Sequence, residues 1–435
     1  MNTILTTSVF PSAWKIARVV PIKKKGSSTD FSNLRPISVL PVLSKAVENI
    51  IKCQIMDYVD EHALLHDRQS AYRRGHSTTH LMLSLTDFIR QNTFRSNFSV
   101  LLSLDMTKAF DSIENLLLNG KLCTRYNFST SACKMIKSYL EGRQQFVQYA
   151  DCRSENRDIF CGVPQGSVIG PILFMLFIND FFEYMEQNNC EIFMFADDIQ
   201  ILFKGEMQSS QIIETYINDC LNQIEMWMSE NRLEINATKT KAMLFKSSNT
   251  FNLNLNLYLN DTLIEFVPKM KCLGITIDEH LTFEPHIHAL SSNINFILKR
   301  LYSLNLNLPL NIRKNVANSL LMSRLLYGLE VYSGTLQLHV DKIRRLFNRV
   351  VRFVYNIKIR DSVSDYVVQF IEVPVDKFIA FRLLFFFYKI MVLSTPNYLV
   401  NLFCFGRSDR NPQIIIPRIN STLFERSFQI RVARY

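Results

Sequence analysis

Two acidic sites in this sequence share one local design. Asp105 closes an apolar run in LLSLDMTKAFDSI, and Asp197 with Asp198 lies between two apolar runs in MFADDIQIL. A carboxylate carried at the tip of a buried strand is costly to desolvate unless it is paired or binds a cation. Several such groups gathered at one sheet edge repel one another, and a divalent ion would neutralise them. Mg²⁺ suits this role, being a hard cation held by one or two carboxylates, waters and substrate phosphates. Two such ions about 4 Å apart could activate a 3′-hydroxyl and stabilise a leaving pyrophosphate in an in-line displacement. The plainer reading of Asp197–Asp198 is a hairpin turn, which Asp favours. The matching strand-tip context of Asp105, 92 residues earlier, argues for the metal.

These residues need a scaffold, and the hydrophobic pattern supplies one. A strand over Ser99–Leu104 ends in Asp105, and a helix is expected to follow. The turn GVPQGS (Gly162–Ser167) opens a second, apolar helix, and EIFMFADDIQILFK reads as a hairpin. Ser209–Asn231 reads as a helix, with strands around Lys241–Phe245 and Leu273–Ile277 and an Asn/Leu alternation at Phe251–Asn260 that also reads as strand. Upstream, residues 1–95 mix basic loops with an apolar helix, Ser44–Val59. Beyond about residue 285 the pattern is helical. In Asp341–Val354, Ile343, Leu346, Phe347, Val350 and Val354 recur at helical spacing. Lys342, Arg345, Arg349 and Arg352 form a basic stripe there, either a solvated face or a phosphate-tracking surface. The run Phe378–Leu393, interrupted by Arg382 and Lys389, is too short and charged for a bilayer span and reads as a buried helix.

The composition fits this α+β domain followed by a helical one. With 435 residues the chain has room for two to four structural units. Hydrophobic residues make up 48%, with 33 Phe, enough for a large core. The net charge of +10 suits a polyanionic partner, because Lys and Arg release counterions from phosphates. Nine dispersed cysteines without CxxC spacing exclude zinc ribbons and read as reduced intracellular thiols. No signal peptide is evident in MNTILTTSVFPSAWK.

Eight strings then follow one another in a distinctive order: WKIARVVPIKKKG (Trp14–Gly26), NLRPISVLPVLSKAVENII (Asn33–Ile51), RQSAYRRGHSTTH (Arg68–His80), LSLDMTKAFDSI, GVPQGSVIGPILF, FADD, LEINATKTKAM and KCLGITID. In this series the chain resembles reverse transcriptases of non-LTR (LINE-type) retrotransposons, most like the jockey-like group, over about residues 10–280. The resemblance implies an α+β right-hand polymerase, with fingers and palm built on antiparallel sheet, then an all-α thumb and a C-terminal helical region. It implies fingers over 1–95, palm over 96–280, thumb-like helices over 281–335, and a C-terminal extension of unknown role over 336–435.

The same resemblance assigns residues. Asp105 and Asp197 would bind metal together with the Met106 backbone carbonyl, and Asp198 would support them. The cofactor would be two Mg²⁺ ions, with Mn²⁺ as a substitute. Phe110 falls where the family places its sugar gate, whose bulk excludes a ribose 2′-hydroxyl; the alternative is a core side chain on the following helix. Gln165 would contact the incoming nucleotide or templating base, with Gly162 and Gly166 allowing close backbone approach, or these residues form only a turn capped by Ser167. Arg35 and one lysine of Lys23–Lys25, with Lys24 chosen, would grip the triphosphate. Lys239 would stand near the triphosphate and could protonate the leaving group, or is an exposed strand-start lysine. Cys272, Leu273 and Gly274 would belong to a hairpin holding the primer end, with Gly166 also near template and primer. RLLYGLEVY (Arg324–Tyr332) resembles a post-thumb segment.

Partners would be an RNA template, a DNA primer and dNTPs, with no membrane and a nuclear location by family. AYR (Ala71–Arg73) replaces the usual GFR, and Ile199 follows FADD where a small hydroxyl residue is commoner. An N-terminal endonuclease, a CCHC knuckle and an RNase H domain are expected to be absent, so nicking would come in trans. The implied activity is RNA-directed DNA synthesis. The alternative is a catalytically silent nucleic-acid-binding remnant, and an intron-maturase role is disfavoured by the FRxGHST-like block.

Overall fold

The computed structural model describes residues 2–435 except 24–33, 95–97, 150, 206–209, 247–253, 305–306, 407–413 and 418–420. Its strands are β1 (Ile16–Lys23), β2 (Leu34–Val39), β3 (Phe98–Leu104), β4 (Arg143–Tyr149), β5 (Cys152–Arg153), β6 (Arg157–Ile159), β7 (Cys190–Phe195), β8 (Asp198–Gly205), β9 (Lys241–Lys246), β10 (Tyr258–Leu259), β11 (Thr262–Leu263), β12 (Glu265–Phe266), β13 (Lys269–Cys272) and β14 (Ile275–Asp278). A central sheet runs β12-β9-β3-β8-β7, with β3 antiparallel to both its neighbours. A second sheet runs β2-β1-β4-β5 with β6 on β4, so residues 143–159 join the N-terminal strands.

Period-two alternation sends the side chains of β3 to two different cores. Val100, Leu102 and Leu104 enter a core shared with the helices Val42–Glu61, Gly170–Ile178 and Ser210–Glu230. Leu101 enters a second core with the helix Thr78–Phe94, the β13–β14 hairpin and the helices beyond residue 284. A strand buried on both faces is largely apolar, and the two polar positions of this one are hydrogen-bonded, Ser99 to Asn92 and Ser103 to Gln200. The helical region thus packs on the sheet face opposite the first core. The expected α+β architecture followed by helices is observed.

Several details differ from the sequence reading. No helix directly follows Asp105: Lys108 takes a left-handed φ of 47°, the chain turns through Asp111, and the helix starts at Asn115. Leu273 is not a strand residue but occupies the turn between β13 and β14, with φ 46°. Of Phe251–Asn260, residues 251–253 lie outside the described residues and β10 alone is strand.

The helix over Val375–Leu393 is real, but Phe381, Phe385, Tyr388 and Val392 are exposed. Apolar residues all round it exceed what its neighbours can cover, so the expectation of a buried helix holds for one side. Three members of the basic stripe are engaged within the fold: Lys342 with Glu284, Arg349 with Asn295, and Arg352 with the Lys358 and Asp361 carbonyls. The expectation of dispersed thiols fails for one pair. A disulfide joins Cys123 to Cys133, because the consecutive helices Asn115–Thr124 and Thr130–Leu140 fold back on one another. No described helix is long and apolar enough to cross a membrane.

Candidate functional site

The β7–β8 hairpin ends on the pair Phe195↔Asp198, leaving Ala196 and Asp197 as a two-residue connection. Such tight hairpins need a positive φ at the first turn position, and Ala196 supplies it at 56° while buried. A non-glycine residue held there stores backbone strain, which the packing of both strands sustains. On the neighbouring strand, the β3–β8 register ends with Leu104↔Ile199, so the next residue, Asp105, stands level with Asp198. The three carboxylates therefore leave adjacent strands at one sheet end.

Residues after the helix Ser210–Glu230 fix the Asp105 backbone. Asn236 donates to the Asp105 carbonyl at 2.7 Å, and Thr107 donates to the Glu234 carbonyl at 2.8 Å. These flanking bonds make Met106↔Ile235 a non-hydrogen-bonded antiparallel pair, in which Met106's own carbonyl takes no part.

The electrostatics record the crowding. Partial desolvation at the sheet end lifts the Asp198 carboxyl to about 6, and the negative charges of Asp197 and Asp105 push the same way. Asp197 is also raised, chiefly by desolvation, with Asp105 adding and the Arg35 charge opposing. Lys239 Nζ lies 3.7 Å from the Asp105 carboxylate. It comes from the turn Asn236–Lys239, whose amides bond back to Asn236. The Cys272 thiol is pushed up to about 12 by burial and by Asp198, which sets the β13–β14 hairpin beside the carboxylates.

Arg35 is exposed on β2, paired opposite Ile22. Beside it, the Ser38 amide donates to the Gln165 carbonyl at 2.7 Å, and the Gln165 side-chain amide donates to Asp111 at 2.9 Å. Gly166 has φ 113°, and a Cβ there would come within 2.6 Å of the Ser38 carbonyl oxygen, so no other residue fits without moving β2. Gly162 accompanies it in the same turn, its amide bonded to the Ile113 carbonyl. Phe110 is half-buried and stacks on Phe174 with centroids 4.4 Å apart, so its ring belongs partly to the core and partly to the surface. Lys24 lies outside the described residues. Gly274 shares the β13–β14 turn with Leu273, whose carbonyl accepts from the Tyr327 hydroxyl at 2.7 Å. The segment Arg324–Tyr332 thus packs on this hairpin.

One neighbour of the site was not among the expected residues. Arg68 and Ser70 bond to both sides of Met194, adding a short parallel strand outside β7. Two residues beyond Ser70 the loop turns at Tyr72, and three beyond Met194 the hairpin turns at Asp197, whose charge adds to burial in raising the Tyr72 hydroxyl. The substitution of Tyr for Phe in the AYR string is the signal that could have drawn attention to it.

Among the described residues no group of three or more His, Cys, Asp or Glu closes into a ready-made metal site. The donor chemistry nonetheless suits a hard divalent ion. Asp105, Asp197 and Asp198 are crowded oxygen donors whose mutual repulsion a cation would relieve, and Mg²⁺ needs few protein ligands when waters and phosphates complete its shell.

The chain matches the family described as reverse transcriptase (RNA-dependent DNA polymerase) over residues 22–277, inside the expected span of about 10–280. It is 30% identical to the RNA-directed DNA polymerase from mobile element jockey of Drosophila melanogaster, over 81% of this chain and 39% of that protein. It is 28% identical to the probable RNA-directed DNA polymerase from transposon BS of the same species, over 81% of this chain and 40% of that one. The chain therefore spans about two fifths of the length of these curated relatives. A solved telomerase from Candida tropicalis, in complex with a TWJ fragment of telomeric RNA, is similar at TM-score 0.47 and 13% identity, over 92% of this chain and 66% of that chain.

Proposed function

The chain belongs to the reverse transcriptase (RNA-dependent DNA polymerase) family, and on that premise we propose that it extends a DNA primer on an RNA template with dNTPs. The observation that carries the reading is the meeting of Asp105 with Asp197 and Asp198 at one sheet end, where their charges oppose one another. Asp105, Asp197 and the Met106 carbonyl would hold divalent metal, with Asp198 beside them. When bound, Mg²⁺ or Mn²⁺ supplies charge neutralisation at the attacking and leaving oxygens.

The remaining roles follow from the chemistry of the side chains. Arg35 offers a fork for triphosphate oxygens, and a lysine of Lys23–Lys25 would share that role. Lys239, close to Asp105, balances charge there and is suited to give a proton to the departing pyrophosphate. Gln165 would present its polar side chain to a base, while Gly166 lets β2 pack closely against this turn. Phe110 supplies the bulk that discriminates against a 2′-hydroxyl. The β13–β14 turn, with Cys272, Leu273 and Gly274, would lie along the primer end. In this reading residues 1–95 form fingers, 96–280 palm, 281–335 thumb and 336–435 an extension, and the protein works in the nucleus.

Primer extension on poly(rA)/oligo(dT) with Mg²⁺ and dTTP tests the proposal. Wild type should elongate the primer and Asp197→Asn should not, while both bind template–primer alike. Binding without elongation by wild type would overturn the catalytic reading in favour of a silent nucleic-acid-binding protein.

A further inference from the structure

Tyr72 combines four properties that the roles above leave unused. It is 47% exposed despite its size. Its backbone sits at φ 57°, a left-handed conformation that strains a non-glycine residue. Among the described residues its ring stacks on no aromatic and faces no cation. Tyr72 follows by two residues the Ser70 amide that bonds the Met194 carbonyl, three residues before Asp197, so its loop lies beside the acidic hairpin.

The loop around it is rigidly held. In front, Arg68 pairs with Glu191 and lies over the Phe193 ring, and Ser70 bonds to Met194. Within the loop, Arg73 donates to the His66 and Gln69 carbonyls. From behind, a segment more than 300 residues later closes on it. The Tyr398 hydroxyl bonds Ser70 at 3.0 Å, Asn397 reaches Asp67 at 3.4 Å, and Thr395 Oγ1 meets His76 Nε2 at 3.4 Å. Thr395 presses so closely that a Cβ on Gly75 would come within 2.4 Å of its methyl group. At its far end the loop is tied to the β13–β14 turn, because the Tyr327 hydroxyl bonds both Thr78 Oγ1 and the Leu273 carbonyl.

A strained, exposed and unstacked aromatic ring, on a loop braced on both sides beside the acidic hairpin, suits the flat face of a base or sugar. A triphosphate is better served by the cations Arg35 and Lys239. We propose that Tyr72 packs against the terminal nucleotide of the primer strand, and that Thr395–Tyr398 of the C-terminal helical region is the element that positions it. This rests on the polymerase reading for the identity of the strand. Tyr72 is the contact, and Tyr398 is a positioning residue acting through Ser70.

The test uses the full chain and a fluorescently labelled poly(rA)/oligo(dT) duplex, measuring anisotropy for binding and steady-state extension for KM and kcat. Tyr72→Ala should weaken template–primer binding roughly tenfold or more, the range seen when a base loses its aromatic platform. Tyr72→Phe should stay within about threefold, since the ring is retained. The KM for dTTP should not move. Tyr398→Phe should raise the template–primer KM in the same direction with an unchanged unfolding midpoint and unchanged dTTP KM. Should Tyr72→Ala fail to fold, Tyr72→Leu, which keeps bulk without a π face, carries the same expectation. Unchanged binding in the variant lacking the ring, or a loss confined to the KM for dTTP, would overturn the inference. Binding is read without turnover, so a wild type that binds but does not extend would sink the polymerase reading and leave the Tyr72 contact to be judged by anisotropy.

Discussion

Two sets of carboxylates in this molecule meet opposite fates. Asp278 is buried, and its two oxygens accept from the His280, Thr282 and Phe283 amides and the Thr282 hydroxyl. Asp87 is also buried, accepting from the Phe428 and Gln429 amides at the start of the last helix, with Arg90 beside it at 3.5 Å. Asp197 and Asp198 are open to solvent, and among the described residues no hydrogen bond from another residue's side chain reaches either carboxylate. Among the described residues, the ion pair at Asp105 is with Lys239, at 3.7 Å. A buried acid that is satisfied serves the fold, whereas like charges crowded without partners work against it. The second arrangement persists for what it binds.

The sharpest way to break this contrast is to neutralise one acid of each kind. Asp197→Asn should cost a factor of roughly 10³ or more in primer extension, the loss of several kcal/mol of charge stabilisation. Its unfolding midpoint should stay at or above that of wild type. Asp87→Ala should do the reverse in kind. Removing it leaves the Arg90 guanidinium, with 1% exposure, without its counter-charge, at a cost of about 3–5 kcal/mol by urea unfolding. If Asp87→Ala were as stable as wild type, or Asp197→Asn unfolded like it, the division into structural and functional acids would collapse.

Much of the site was legible because its residues terminate runs of unmistakable pattern. Asp105 ends a largely apolar strand buried on both faces, and the acidic pair interrupts an apolar hairpin. The ladder then leaves little freedom, since register alone sets Asp105 level with Asp198. What was not legible depends on contacts between distant segments. Tyr72 sits in a recognisable string, but its place is fixed by Met194 on one side and Thr395–Tyr398 on the other. The meeting of Cys123 with Cys133 is set by the angle between two helices, which periodicity does not encode. The exposed side of the helix Val375–Leu393 was hidden for a related reason. A segment apolar all round carries no stripe from which to read its buried face.

Phe110 falls between the two kinds of role and sharpens the comparison at intermediate size. Stacked on Phe174 yet half-exposed, it should cost about 2 kcal/mol of stability as Phe110→Ala, less than a fully buried ring. If it is also the gate, ribonucleotide incorporation measured with UTP against dTTP should rise on the order of tenfold. A stability loss with unchanged selectivity would return it wholly to the core.

The smallest expected effect isolates the cost of the acidic cluster itself. The Asp198 carboxyl is raised to about 6 from an ordinary value near 3.8, first by desolvation and then by Asp197 and Asp105. Above about pH 6 it is ionised in both folded and unfolded chains, and the fold carries the full repulsion. Between about pH 4 and 6 the folded chain keeps the proton that the unfolded chain releases, and the penalty fades as pH falls. Asp198→Asn should therefore raise the unfolding midpoint by about one to two degrees at pH 7.5 in EDTA, since a solvent-open charge cluster is worth of order 1 kcal/mol after screening. The gain should vanish by about pH 4. Acid weakens the fold in its own right, because burial holds His66, His80 and His286 down to about 4 and His76 to about 3, so unfolding draws protons below pH 6.5. Those histidines titrate alike in both proteins and cancel in the difference. Mg²⁺ should then narrow the gap at pH 7.5 by stabilising wild type more than the variant. A gap that ignores both pH and metal would mean that the repulsion resides elsewhere.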